Sequence, residues 1–244
     1  LDADRSVQPV TEYYKGGTSE AMNMLDRFIK DKADDYDSKR NDPSLGFQSG
    51  LSPYLHFGQI SPLYAAIEVY RRCDEPSVFL EELIVRRELA RNFCFYNDDY
   101  MSLKALPDWA KKTLDDHTGD GRDYIYPLEV LENGDTHDDA WNAAQCEMVK
   151  TGKMHGYMRM YWGKKIIEWS ATPEKALETM IYLNDKYSLD GRDANGYAGI
   201  MWCFGKHDRP WKERSIFGKV RYMNYNGLKR KFDIDDYVRK IDAL

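Results

Sequence analysis

HGYMRMYWGKKIIEW, His155 to Trp169, is the stretch around which the rest of the 244-residue chain is read. Met154, Tyr157, Met158, Tyr161, Trp162, Ile166 and Trp169 recur at three- and four-residue steps, the mark of one apolar face of an amphipathic helix. Trp162 and Trp169 stand seven residues apart, so both indoles project the same way, about 10 Å apart along the axis. Arg159, Lys164 and Lys165 ride on the same helix, cations able to meet an anionic cofactor or a carboxylate. On pattern alone an aromatic stripe at this spacing is core packing. The surrounding sequence shifts that reading towards chemistry.

Six Trp, eighteen Tyr and nine Phe make the chain rich in aromatics. Tryptophan is costly filler, because each buried indole N–H needs a partner. Cys73, Cys94, Cys146 and Cys203 form no C-x-x-C pair and no zinc spacing, and read as reduced thiols of an intracellular protein. No metal site is expected. No apolar run approaches the roughly 18 residues of a membrane span, and no signal peptide is visible, so no membrane partner is expected. The net charge of −6 argues against a nucleic-acid partner, but its distribution does not. Between Gly205 and Lys231 nine lysines and arginines face only Asp208 and Glu213, a local positive field of the kind phosphates feel. The alternative, a solvated basic face with no ligand, stands beside it.

Leu1 to Tyr13 is polar, contains Pro9, and reads as a linker; residues 1–15 are taken as the tail of an upstream domain outside this chain and 16–244 as one domain. A capped helix is expected from Thr18, with Met22, Leu25, Phe28 and Ile29 as its stripe. FQSGLSPYLHFGQISP, Phe47 to Pro62, sets glycines and hydroxyls before helix-forming stretches. N–H groups at such a start, with the Ser49 and Ser52 hydroxyls, suit a pyrophosphate; an ordinary Ser-Pro helix cap accounts for them equally. Val78 to Tyr96 is a second strong helix with charge pairs at neighbour spacing. A short helix follows at Leu106–Leu114, then an acidic, Gly-rich surface loop over 115–139, then a helix from Trp141 to about Lys150 stopped by Gly152. Thr172-Pro173-Glu174 opens a helix through Tyr187; Asp190 to Trp202 reads as a turn-rich loop running into apolar residues, and Phe217 to Tyr225 as extended. The expected fold is mainly α.

SGLSPYLHFGQISP, EELIVRRELARNFCFY, HGYMRMYWGKKIIEW, LDGRDANGYAGIMW and GKHDRPWKER…FGKVRYMNY…KRKF occur in this order along nearly the whole chain. Together they resemble the flavin-binding, C-terminal half of the photolyase/cryptochrome family, and within it the class II cyclobutane pyrimidine dimer photolyases. The resemblance implies an all-helical domain holding FAD in a folded conformation, with a short β-hairpin or extended segment near the C-terminus. It also implies an upstream α/β antenna domain, absent from this chain, whose chromophore is open. Ser49, Gly50, Leu51 and Ser52 match the segment holding the pyrophosphate, and Tyr14 an aromatic near the flavin. Arg159 and Asp190 match a buried ion pair beside the isoalloxazine, where an arginine favours the reduced anionic ring. Asn184 matches the class II residue facing flavin N5; Asn195 is the alternative, since the class I asparagine position holds Gly196 here.

On the substrate side Glu82 matches the carboxylate that hydrogen-bonds the flipped lesion, Met160 a sulfur packed on it, and Trp202 one aromatic wall. Such a role asks Glu82 to be protonated or to meet a donor. Trp162, Trp141 and Trp169 match a chain of indoles carrying an electron from the surface to the flavin, with Tyr161 and Tyr126 as auxiliary donors. Arg209, Trp211, Lys212, Arg214, Lys219 and Arg221 form the expected contact with UV-damaged DNA. The implied activity is light-driven repair of pyrimidine dimers by electron transfer from excited reduced FAD, in a monomer, cytoplasmic in a prokaryote or nuclear in a eukaryote. The main alternative is a cryptochrome-type photoreceptor without repair. A (6-4) photoproduct enzyme would want histidines at the lesion, with His155 the helix-borne candidate, and a helical DNA-binding module without cofactor is the third reading.

Overall fold

The computed structural model describes residues 5–244. Its helices are α1 (Thr18–Asp31), α2 (Tyr36–Lys39), α3 (Ser52–His56), α4 (Pro62–Arg72), α5 (Ser77–Leu80), α6 (Arg87–Tyr96), α7 (Asp108–Asp116), α8 (Leu128–Asn133), α9 (Asp139–Thr151), α10 (Gly156–Trp169), α11 (Pro173–Tyr187), α12 (Ala194–Cys203), α13 (Tyr225–Lys229) and α14 (Ile234–Asp242). Between α5 and α6 the chain does not leave the helix but passes through a π-helical segment, Glu81–Arg86. One helix therefore runs from Ser77 to Tyr96 with a widened middle.

Two hydrophobic cores form. A smaller one gathers Leu25, Phe28, Tyr36, Leu51, Tyr54, Val69, Phe79 and Leu83. A larger one is built around α10, which packs against α9, α11 and α12. The π-containing helix spans both, with Phe79 and Leu83 in the first and Phe93 in the second. Its π segment falls at the seam, a placement typical of functional sites.

The sequence reading of α10 as amphipathic undercounts its burial. Met158, Tyr161, Trp162, Ile166, Ile167 and Trp169 are buried, but so are Gly163, Lys164 and Lys165. The helix is enclosed on nearly all sides, and its lysines meet internal acceptors: Lys164 donates to the carbonyl of Cys203 and Lys165 to Glu168 at 2.8 Å. Burial pushes the Lys164 ammonium down to about 8. Gly163 permits the close approach of α12, since a Cβ there would lie 2.6 Å from Cys203 Sγ. Each buried indole removes on the order of 200 Å² from water, about 5 kcal/mol before ordering costs.

Stops and caps follow local chemistry. Asp138 caps α9 through Trp141 N at 3.0 Å, and Gly152 ends it at φ 74°. His155 caps α10 and Thr172 caps α11. Three expectations change. The stretch read as a loop after Asp190 contains α12, whose Ala, Gly and apolar residues give no polar face to reveal the period. The acidic loop contains α8. The hairpin near the C-terminus reduces to one antiparallel bridge, Arg214 with Gly218. The end of the stretch read as a linker turns back onto itself, Tyr13 and Tyr14 both bonding Val10 O at 3.0 Å, with Tyr14 half-buried near Tyr54. No helix among the described residues is long and apolar enough to cross a membrane.

Candidate functional site

At the seam lies a cavity of about 610 Å³. From the first core come Arg40, Gln48 and Glu82, and from the second Arg159, Met160, Asn195 and Trp202. The π segment presents Glu82, whose Oε1 accepts from Arg40 Nη1 at 2.6 Å. Arg40, which the sequence reading did not single out, is the partner of the Glu82 carboxylate. The Arg40 carbonyl in turn accepts from Gln48 at 2.6 Å, and Gln48 pairs with His155 at 3.0 Å. Trp202 keeps its Nε1 buried without a partner. Met160 Sδ lies 3.9 Å from Cys203 Sγ.

Beside this cavity sits a buried polar group assembled from four parts of the chain. Arg159 Nη1 donates to Asn184 Oδ1 at 2.5 Å. Asn184 is 2 % exposed and backs onto Gly196, where a Cβ would come within 3.2 Å of its Nδ2. Leu189 N donates to Gly152 O at 2.9 Å, stitching the loop after α11 to the entry of α10 and bringing Asp190 against Lys153. Lys153 Nζ bonds Asp190 Oδ2 at 2.7 Å and Ser52 Oγ at 2.5 Å. The expected direct pair of Arg159 with Asp190 is thus made by Lys153, with Arg159 acting on Asp190 through its field.

Burial would raise the Asp190 carboxyl; the charges of Lys153 and Arg159 and the bonds from Lys153 and Ser52 outweigh it and hold it below its ordinary value. Asp190 Oδ1 remains buried with no hydrogen-bond partner. Burial, then the Asp190 charge, raises the Tyr14 phenol. Of the segment read as a pyrophosphate cradle, Ser49 accepts from Leu51 N at 3.3 Å, Gly50 adopts φ 71°, Leu51 is buried and Ser52 meets Lys153. The structure therefore brings Ser52, Asp190, Arg159 and Asn184 together with Lys153, and separates Asn195, which is exposed, lines the cavity and bonds Asp193.

His155 does not reach the cavity. It is 5 % exposed, caps α10 through Tyr157 N, and is pushed down to about 4 by burial, so it is neutral near pH 7. The histidine on the cavity wall is His207.

The indoles form a contiguous ladder. Trp162 and Trp141 stack at 6.4 Å and 6°, and Trp141 meets Trp169 edge-on at 5.6 Å. Trp141 Nε1 donates to Trp162 O at 3.0 Å and Trp162 Nε1 to Gln145 Oε1 at 2.9 Å. Trp169, expected at the surface, is only 2 % exposed. Tyr126 covers it edge-on at 5.4 Å, and Tyr124, 46 % exposed, lies beyond. Tyr161 donates to Asp138 and makes no ring contact with the ladder among the described residues.

In the basic segment Arg209, Lys212, Arg214, Lys219 and Arg230 are exposed and carry no ion pair among the described residues. Arg221 pairs with Asp208 at 3.1 Å and lies 4.5 Å over Trp211, so its charge is already partly answered. The segment is anchored, not loose. Lys219 N donates to Thr113 Oγ1 at 2.9 Å, Ile216 N to Asp120 at 2.8 Å, and His117 bridges Asp120 at 2.6 Å and Glu213 at 3.1 Å.

The chain is similar to known proteins over nearly its whole length. The chain is 58% identical over 231 residues, 95% of its length, to the deoxyribodipyrimidine photo-lyase of Methanothermobacter thermautotrophicus. It is 53% identical over 99% of its length to that of Potorous tridactylus and 53% identical over 97% to that of Oryza sativa subsp. japonica. It spans about half of each relative, 52%, 46% and 49%. Among solved structures it superposes on a class III photolyase from Agrobacterium tumefaciens with a TM-score of 0.75 at 23% identity, covering 95% of this chain and 46% of that one. A Synechocystis cryptochrome gives 0.69 at 18%, covering 93% and 45%. An archaeal photolyase from Sulfolobus tokodaii with two FAD molecules gives 0.64 at 16%, covering 93% and 46%. The chain has their helical fold. No family model matches it.

Proposed function

We propose that this chain is the FAD-binding, catalytic half of a class II photolyase, repairing cyclobutane pyrimidine dimers in DNA under light. The observation that carries the reading is the delivery by one helix, α10, of Arg159 and Met160 to the cavity and of Trp162 to the indole ladder, within four residues. The names of relatives more than half identical support repair, whereas the cryptochrome shares the fold alone.

The residues fit the cofactor. Lys153 and Arg159 supply positive charge for an anionic group, and Asp190 Oδ1 offers an unused buried acceptor to an N–H donor. Ser49–Ser52, Tyr14, Lys153, Arg159, Asn184 and Asp190 would hold FAD, which when reduced and excited supplies the electron that splits the dimer. Arg159 and Lys153 favour negative charge beside them, because a low-dielectric site strengthens their field. Asn184, fixed by Arg159, takes the N5-facing role in preference to Asn195. Glu82, an acceptor held by the Arg40 guanidinium, orients the flipped dimer through its N–H donors, and the Arg40 charge beside it supports the negative charge the dimer gains. Met160 and Trp202 pack the lesion and exclude water. Trp162, Trp141 and Trp169 conduct electrons inward, and Arg209, Lys212, Arg214 and Lys219 meet phosphates, with Trp211 beside them.

The test is optical and chemical. Purified chain should carry stoichiometric FAD and restore thymine dimers to thymines only under light. Arg159→Ala should lose flavin with unchanged far-UV helix content. Full flavin occupancy in that variant removes the assigned role, and dark-equivalent repair overturns the reading.

A further inference from the structure

The three indoles do not end the ladder, and what lies past Trp169 differs chemically from what lies before it. The inner indole N–H groups donate to oxygens of amides, Gln145 Oε1 for Trp162 and the Trp162 carbonyl for Trp141. Neither acceptor takes up a proton near neutral pH, so an oxidised indole there stays a cation and passes its charge on. Tyr126 is placed otherwise. Its ring meets Trp169 at 5.4 Å, and its hydroxyl lies 2.6 Å from His137 Nδ1. The His137 backbone N–H donates to the same phenol oxygen at 3.2 Å. In the tautomer in which the phenol donates to Nδ1, Nε2 carries the proton of the neutral ring.

The His137 ring is itself fixed. It stacks on Tyr124 at 3.9 Å and 19°, and stands 5.2 Å from Trp169. His137 is exposed, and a cavity of about 450 Å³ lined by Tyr124, His137, Glu168 and Trp169 opens beside it. A proton taken at Nδ1 therefore has an exit at Nε2.

We propose that His137 is the proton acceptor that traps the electron hole on Tyr126, a positioning and acid–base role in photoreduction that rests on the indole ladder assigned above. Oxidised Trp169 takes one electron from Tyr126 and returns to neutral tryptophan. The phenol proton passes at the same time to His137 Nδ1, leaving a neutral tyrosyl radical and an imidazolium. A small thiolate resets the pair: it gives one electron to the tyrosyl oxygen, His137 returns the proton, and a thiyl radical leaves. Without a base the phenol radical cation is too acidic and too oxidising to form, and the hole recombines. Tyr161 meets a carboxylate but lacks ring contact with the ladder, so it does not serve.

Flash photolysis of the flavin-loaded chain tests this. Wild type should end as a neutral tyrosyl radical with long-lived reduced flavin, formed more slowly in deuterated water. His137→Gln keeps an acceptor for the phenol but no base, and should lower the tyrosyl yield by at least about tenfold while indole oxidation persists. Tyr126→Phe should abolish the tyrosyl signal, and Tyr124→Phe should leave it. A wild-type tyrosyl yield in His137→Gln, or no isotope effect on its formation in wild type, overturns the proposal. Oxidised tryptophan without any tyrosyl in wild type overturns it too, and leaves the ladder standing. Normal photoreduction in Trp162→Phe instead strikes the ladder itself.

Discussion

The Lys153–Asp190–Arg159 group and the 205–231 segment are built from the same residue types and behave oppositely. In the first, two cations and one carboxylate are held beside the cavity by bonds from four chain segments. In the second, cations stand in water on an anchored surface. Two unit charges 4 Å apart interact by about 4 kcal/mol near a protein interior edge and about 1 kcal/mol in bulk water. Buried charge therefore fixes geometry, and surface charge attracts without fixing. The first region should tolerate no loss, whereas the second should lose its members gradually.

The largest effect should come from Lys153→Met. It leaves Asp190 buried with only the Ser52 bond and the field of Arg159, and should cost about 3–5 kcal/mol in denaturant unfolding together with bound flavin. Stability within experimental error of wild type would place the two regions on the same footing. A smaller and graded effect is expected at the surface. Arg214→Gln should weaken binding to damaged and intact duplex alike and reduce the salt slope by about one. Arg221→Gln should change it less, because Asp208 already answers that charge. Equal slopes for the two variants would show that the Asp208 pair opens on DNA.

The smallest effect sharpens the contrast through pH. The bond to Asp120, then that to Glu213, raises the His117 imidazole above its ordinary value. Its stabilisation is then complete below the ordinary histidine range and is lost as pH rises through the raised value. Asp120, lowered to about 2 first by the Ile216 N–H, gives the opposite sign and fails only in strong acid. His117→Asn should lower the melting temperature by roughly 1–3 °C at pH 6 and by less at pH 9. A larger loss at pH 9 would reverse the assigned charge state.

Periodic segments were legible because burial on one face writes a period. Thr18–Asp31, the helix ending at Gly152, and Pro173–Tyr187 were all readable in this way. α12 was not, since Ala194, Gly196, Gly199 and their apolar neighbours offer no polar side to compare. Lys164 and Lys165 read only as cations able to meet an anionic cofactor or a carboxylate, because the sequence shows their charge and not the Cys203 carbonyl or the Glu168 carboxylate that receives it. Arg40 and Lys153 escaped notice for a related reason. Their partners Glu82, Ser52 and Asp190 lie tens of residues away, and one-dimensional spacing carries no trace of such meetings.

The π segment at Glu81–Arg86 has a consequence for what the chain can change. The helix from Ser77 to Tyr96 behaves as a shaft keyed at each end to a different core, Phe79 and Leu83 in one and Phe93 in the other. Each residue of α-helix turns the shaft by about 100°, and the wider turn absorbs one residue's worth of that rotation. Removing that one residue would restore ordinary pitch with both keys still in phase, whereas a one-residue change in the α-helical parts would turn one key against the other. Either Phe93 would swing out of its core or Glu82 would turn from Arg40. Loops on this molecule can drift in length, but the distance between those two keys is counted in whole residues.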